Sequence, residues 1–352
     1  MCQHPLHSFL AALAKCEHHI HLEGALSPDL LFSLARQNKV SLPPPAEDPS
    51  FASPSDLLDR YTRFTSLDDF LHYYFIGMSV LLTAEDFEAL AWEYFCRAKK
   101  DGVVHAEVFF DPQAHTGRGV AYKTVVEGFV RACRRAEKEL GMSTLLILCF
   151  LRHLPATAAD STFEEAKEDL LNGTLAGIGL DSSEKGFPPE LFKTVYKSAK
   201  DAGIRRTAHA GEEGGAESVK GAIEYLDVMR IDHGIRIADD QELMDEVVAR
   251  GYLVTICPLS NVRLQCVKSV KDLPVRRFLD QGINFSINSD DPAYFGGYIL
   301  DNYCAVQEAF NLSMKEWERI ATAAVKGSWC DDERKTALVQ ALEVVMKKYS
   351  SG

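Results

Sequence analysis

The chain has 352 residues, of which 46% are hydrophobic and 25% charged, the proportions of a soluble globular protein able to bury a large core. Its formal net charge of −13 disfavours nucleic acid, anionic membrane surfaces and polyanionic substrates, whose binding needs concentrated Lys and Arg. Nine cysteines, an odd number without a C-x-x-C pair, give no sign of a disulfide framework or a thiolate zinc site, and no apolar run reaches the roughly 20 residues of a membrane span.

The apolar HSFLAALA (7–14) runs straight into CEHHIHLEG (16–24), so a cleaved leader is not expected. The second segment reads as a buried strand and yet holds three histidines and two glutamates. Strand alternation places His19 and His21 on one face with Glu17 and Glu23, and His18 with Ile20 on the other. Two imidazoles so spaced can converge on one ion, although an isolated H-x-H suits a polar edge strand better. Residues 40–56, with five prolines, are predicted to be an irregular surface excursion. FTSLDDFLHYY (64–74) sets Leu67, Phe70, Leu71 and Tyr74 at the spacing of an amphipathic helix.

Seven further strands are predicted in VVHAEVFFDP (103–112), TLLILCFLRHL (144–154), LAGIGLDSS (175–183), RRTAHAGEE (205–213), MRIDHGI (229–235), YLVTICPLSN (252–261) and INFSINSDDP (283–292). Helical patterns such as 87–102, 125–141, 189–203 and 240–251 separate them, several ending at a basic residue or Asp before Gly. Eight strands alternating with helices predict an α/β fold, a (β/α)8 TIM barrel spanning 1–352 as one domain. A doubly wound open sheet is the alternative.

Polar residues gather late in these strands, at the end where a barrel carries its active site. His209 closes one strand, and Glu212 follows through Gly211. A neutral imidazole there can be a metal ligand and the carboxylate can move a proton, unless the acids merely favour a helix N-terminus. Asp232 and His233 close the next strand, and His233 can serve as base. Asp290 and Asp291 point different ways if both end a strand, so one can complete a metal site while the other accepts a hydrogen bond; Asp-Asp-Pro is also a good turn former. Three histidines and one carboxylate suit zinc, with an exchangeable water left to activate.

The motifs H-x-H-L-E-G, T-A-H-A-G-E, I-D-H-G and S-D-D-P, in this order, resemble those of the adenosine/adenine deaminase family of the amidohydrolase superfamily. VHAEVFFDPQAHTGRG, GIGLDSSEKGFPPELF, CPLSNVRLQ, NSDDPAYFGGYILDNY and KGSWCDD are similar to its adenine-deaminating branch found in fungi, and the likeness runs from Lys15 to Ser350. The resemblance implies a distorted barrel of the metal-dependent hydrolase type with extra helices, and one Zn2+ per chain held by His19, His21, His209 and Asp290. Glu212 would protonate purine N1; a zinc-activated water, helped by His233 and Asp290, would attack C6 and expel ammonia; Asp291 would share a hydrogen at N7. From adenine the product is hypoxanthine, as in purine salvage. Adenosine, or N6-substituted purines and their nucleotides, are the alternative substrates.

Glu23 stands where adenosine deaminases usually have Asp, and its longer acid would fill space that a ribose needs. Gly179–Glu184 matches the family segment at the purine N3 edge, so Asp181, Ser182 and Glu184 are expected to face a bare base, their carboxylates repelling a phosphate. Leu67, Phe70, Leu71 and Tyr74 resemble the family's apolar gate. A small-molecule purine is the expected partner, with no nucleic acid and no membrane, and the cytoplasm is the expected compartment, with the nucleus open to a small enzyme.

Overall fold

The computed structural model describes residues 4–350. Eight parallel strands pair in chain order: β1 (Lys15–Glu17), β2 (Val103–Phe110), β3 (Ser143–Leu151), β4 (Gly177–Asp181), β5 (Arg205–Ala210), β6 (Arg230–His233), β7 (Leu253–Ile256) and β8 (Asn284–Ile287). The (β/α)8 barrel expected from eight strands alternating with helices is therefore formed. Its joints are uneven. β3 and β4 pair over five residues, whereas β4 and β5 pair only at Gly177↔Arg205 and Ile178↔Arg206 before diverging.

The ring closes at the candidate ligands themselves. His21 N–H donates to Asp290 O (3.0 Å), Asp290 N–H donates to His19 O (3.0 Å), and Ile20 bridges Asp290 in parallel. Pairing the first strand to the eighth thus also sets the backbone position of three site residues.

The intervening helices form where the sequence supplies apolar spacing and caps. Ala84–Lys100 begins at a Thr83–Asp86 capping box and buries Phe87, Leu90, Ala91 and Tyr94; Tyr122–Leu140 and Gln241–Arg250 stop at Gly141 and Gly251 in the left-handed conformation. No helix among the described residues is long and apolar enough to cross a membrane. Cys16, Cys96, Cys133, Cys149, Cys257, Cys266 and Cys330 are free thiols.

Two local expectations are corrected. The proline-rich stretch is not wholly irregular: a 3₁₀ turn covers Pro49–Ala52, and Pro54–Tyr61 is an α-helix with Ser53 as N-cap. Proline at the first helical position has no N–H that needs a partner and already holds a helical φ. CEHHIHLEG is also not one continuous strand. Its regular ladder ends at Glu17, His21 makes only an isolated bridge to Phe109, and Glu23 begins a 3₁₀ turn.

Deeper in the barrel, below the mouth, lies a buried ion pair. Arg230 Nη1 meets Glu107 Oε2, His105 Nε2 lies 3.1 Å from Glu107 Oε1, and the Arg230 guanidinium stands 4.2 Å over the Trp329 ring. Burial alone would raise the Glu107 carboxyl, but the Arg230 charge, the His105 hydrogen bond and the His18 charge together outweigh it and hold it well below its ordinary range. Arg230→Met leaves that carboxylate unpaired, and denaturant unfolding is expected to show a loss of about 3–5 kcal/mol.

Candidate active site at the barrel mouth

The side chains of His19, His21, His209 and Asp290 converge, each at least 95% buried. His21 Nε2 lies 3.2 Å from His209 Nε2; Asp290 Oδ1 lies 3.3 Å from His19 Nε2 and 3.6 Å from His21 Nε2. Four ligands at zinc–nitrogen bond lengths form a tetrahedron whose edges are roughly 3.3 Å, so these atoms stand as ligands of one ion would. His19 Nε2 is buried without a hydrogen-bond partner, as a lone pair reserved for a metal requires. The donor set thus fits a divalent metal.

The far side of each imidazole is held by other strands. His19 Nδ1 is 2.8 Å from Thr255 Oγ1, and His21 Nδ1 is 3.5 Å from Asp181 Oδ2. His209 Nδ1 is 3.8 Å from Asp232 Oδ2, and Asp232 also accepts from the Thr207 and Thr255 hydroxyls. The Thr255 hydroxyl, which donates to Asp232, accepts from His19 Nδ1–H and so fixes that ring's tautomer, while Asp181 and Asp232 stand beside His21 and His209 without hydrogen-bonding them. Asp232 therefore sits beneath the cluster as a brace, a placement that strand-end position alone does not reveal.

Glu212 and His233 flank the cluster. His233 Nε2 is 3.4 Å from Glu212 Oε2 and 3.8 Å from Asp290 Oδ2. The Asn261 amide, 3.3 Å from His233 Nδ1, donates there and leaves the ring proton on Nε2, facing both acids. Burial pushes the Glu212 carboxyl well above its ordinary range, and the neighbouring Asp290 and Glu184 carboxylates push it further. Burial likewise drives His233 and His209 well below theirs, so both rings are neutral near pH 7. Asp290 goes the other way: burial opposes its charge, but His19 and the other histidines hold it ionised.

Backbone geometry places these groups. Asp290 (φ 64°), His233 (φ 59°) and Ser182 (φ 73°) are left-handed non-glycine residues at three strand ends, a costly conformation that concentrates at functional sites. Gly211 (φ 76°) makes the turn from His209 to Glu212, and a Cβ there would come within 2.7 Å of Val219. At Gly24 a Cβ would lie 1.9 Å from Asp291 Oδ1, so only glycine lets Asp291 approach.

A cavity opens over the cluster. Its lining includes Asp181, Ser182, Asp291 and, from the helix Leu67–Met78, the side chains of Leu67, Phe70, Leu71 and Tyr74. Asp290 and Asp291 do point different ways, the first into the histidines and the second into the cavity. Ser182 Oγ is 2.8 Å from His153 Nδ1.

Two acids expected at the substrate lie elsewhere. Glu23 does not line the cavity; its Oε1 accepts from the Asp111 backbone (3.1 Å) and from His115 Nε2 (3.0 Å), behind the wall. Alternation could not predict this, because the chain has already left the strand at that point. Glu184 turns away to receive the backbone N–H groups of Gly211 (3.0 Å), Glu212 (2.8 Å) and Glu213 (3.1 Å), and the Ser218 hydroxyl. It is a positioning residue for the turn that carries Glu212. Glu184→Ala is expected to keep the metal and lower kcat roughly 10–100-fold with little change in KM, as a displaced proton donor should. Steady-state kinetics with metal analysis check this. Conversely Asp111, which lines the cavity at the end of β2, escaped the motif reading; its signal was its place after a buried strand, like the other site acids.

The family model for adenosine deaminase matches residues 14–345. The adenine deaminase of Schizosaccharomyces pombe is 55% identical over 99% of this chain and 95% of its own length. Among solved structures, the adenine deaminase of Arthrobacter aurescens superimposes with a TM-score of 0.90 at 41% identity, covering 95% of this chain and 99% of that one. A zinc-bound amidohydrolase from Burkholderia ambifaria gives 0.86 at 27% identity, covering 98% and 95%. Matched over almost its whole length and built on the same barrel, the chain belongs to the adenosine deaminase family.

Proposed function

We propose that this protein hydrolyses adenine to hypoxanthine and ammonia, using one zinc ion held by His19, His21, His209 and Asp290. The observation that carries the reading is the pairing of a tetrahedrally spaced donor set with a buried carboxyl, Glu212, whose surroundings favour its protonated form. Bound there, zinc supplies the Lewis acidity that makes a water nucleophilic near neutral pH.

The protein's own groups do the rest. Glu212 donates its proton to purine N1, which draws electron density from C6. Asp290 takes the proton lost by the water as its oxygen bonds to C6, and His233, whose Nε2–H faces the same point, donates a hydrogen bond to that oxygen. That proton moves to the amino nitrogen, the C6–N6 bond breaks and ammonia leaves, and the hydroxyl proton left on the new oxygen returns to Glu212 as the C6 carbonyl of hypoxanthine forms. Asp291 shares a hydrogen with N7, and the apolar side chains of Leu67, Phe70 and Leu71 cover the base and exclude bulk water.

A base, rather than a nucleotide, is favoured by the lining itself. Asp111, Asp181, Asp290, Asp291 and Glu212 all face one cavity, and none of the described residues lining it is a Lys or Arg that could pair with a phosphate. The adenine deaminase relatives support the same choice. Competition between adenine and adenosine, read by ammonia release with metal content measured alongside, tests it. Adenosine is expected to turn over roughly 100-fold or more slowly. Comparable rates would make this a nucleoside deaminase.

A further inference from the structure

Asp111 closes β2, is 1% exposed, and lines the cavity. Its backbone N–H is tied to Glu23 Oε1, while its own Oδ1 has no hydrogen-bond partner. Both oxygens of Asp181, also in the lining, lack one too. The ligand atoms of Asp111, Asp181 and His21 lie within 4.8 Å of one another, a grouping that could suggest a second cation. His21 Nε2 already faces His209, however, so a second ion would require His21 to bridge two metals as an imidazolate. The free oxygens are better explained by an organic ligand that brings hydrogens.

We propose that Asp111 is a specificity-determining residue whose carboxyl oxygen accepts the N9–H of a free purine base, so that bases substituted at N9 are rejected. The proposal rests on the purine-deaminase reading of this site. Its geometry comes from the strand order. With eight strands in sequence around the ring, β2 lies across the mouth from β6 and close to opposite β5, which lead to His233 and Glu212. In a purine, N9 is bonded to C4, the ring atom opposite N1. A base whose N1 meets Glu212 therefore directs N9 away from β5 and toward β2, where Asp111 waits.

A free base carries a hydrogen at N9 that needs an acceptor once buried, and a nucleoside has a sugar there instead. Asp111 also sits in surroundings, burial first and then Asp181, that favour a neutral carboxyl. A carboxylic acid can accept N9–H at one oxygen and donate its own hydrogen to N3 from the other. An asparagine side chain offers the same acceptor–donor pattern, whereas alanine offers neither half.

The test measures kcat/KM for adenine and for 9-methyladenine with metal-replete wild type, Asp111→Asn and Asp111→Ala. Wild type is expected to prefer adenine by roughly 10³-fold or more, since sites built around a hydrogen bond reject analogues lacking it strongly. Asp111→Asn should keep that ratio within about tenfold, while Asp111→Ala should lose roughly 100-fold on adenine itself and bring the ratio below about tenfold. Exclusion by size alone would leave adenine turnover intact in Asp111→Ala, which overturns the proposal. So does a wild type that accepts 9-methyladenine within tenfold of adenine. Should Asp111→Ala not fold, calorimetric binding of hypoxanthine against 9-methylhypoxanthine to wild type decides, and equal affinities overturn it. A metal-replete wild type that leaves adenine unchanged refutes the deaminase reading instead, a result separate from either.

Discussion

Glu212→Gln is expected to keep its metal and its fold while losing roughly 10²–10⁴-fold in kcat, the range a positioned general acid contributes. The substitution changes little else. The amide has the size of the acid, the backbone N–H still donates to Glu184, and the side-chain oxygen can still face His233 Nε2. What is removed is a proton held against bulk water by burial and by the nearby Asp290 charge. The sign of the pH dependence follows. Because the folded carboxyl titrates well above its ordinary range, the donor form extends to higher pH than in a free carboxyl and is lost as pH rises through that elevated value. Wild-type turnover should therefore show an alkaline decline that the residual activity of Glu212→Gln lacks. A metal-replete variant with nearly full activity, or with an unchanged alkaline limb, would remove Glu212 from the chemistry.

Stripping the metal with a chelator should abolish turnover and lower the Tm, with both restored by zinc. Three imidazoles and one carboxylate are already oriented for the ion, and burial keeps His21 and His209 from taking protons in its place. Without a cation, Asp290 stays beside Asp291 and Glu212 with no full positive charge to offset the repulsion. An ion bound only by the folded state at 100 times its dissociation constant contributes about 2.7 kcal/mol, enough for a clear shift in melting. His209→Ala should reproduce the loss in a form that excess zinc does not fully rescue. Outer partners of metal ligands typically contribute 10–100-fold to affinity, so loss of a ligand itself should exceed roughly 100-fold. Metal titration followed by calorimetry or atomic absorption checks both. Full activity after exhaustive chelation would exclude the assignment of His19, His21, His209 and Asp290 as a catalytic metal site.

Much of this arrangement could be read along the chain. The eight strands, the helices that end at Gly141 and Gly251, and the apolar stripe of Leu67, Phe70, Leu71 and Tyr74 all follow from periodicity and caps, which depend on residues a few positions apart. His19 with His21, His209 with Glu212, and Asp290 with Asp291 were visible because each pair is local and each ends a strand that a closed barrel must bring to one rim.

Other features depended on contacts between distant segments. Glu23 looked like a substrate contact while the alternation of a strand was extended to it, but the ladder ends at Glu17 and the side chain goes to His115. Glu184 carried the same expectation, yet three backbone N–H groups beyond β5 claim its carboxylate. Asp111 lay inside VHAEVFFDPQAHTGRG without being singled out there, and it enters the cavity with a free oxygen.

By itself, then, the sequence determined the barrel, the order of its strands and the meeting of His19, His21, His209 and Asp290 at one rim, because short-range spacing decides which elements form and which residues end them. Which buried acids meet a ligand and which brace a turn was decided only by the tertiary structure. Past a strand's last residue no periodicity directs a side chain, and each carboxylate goes to whichever donors the folded chain brings within reach.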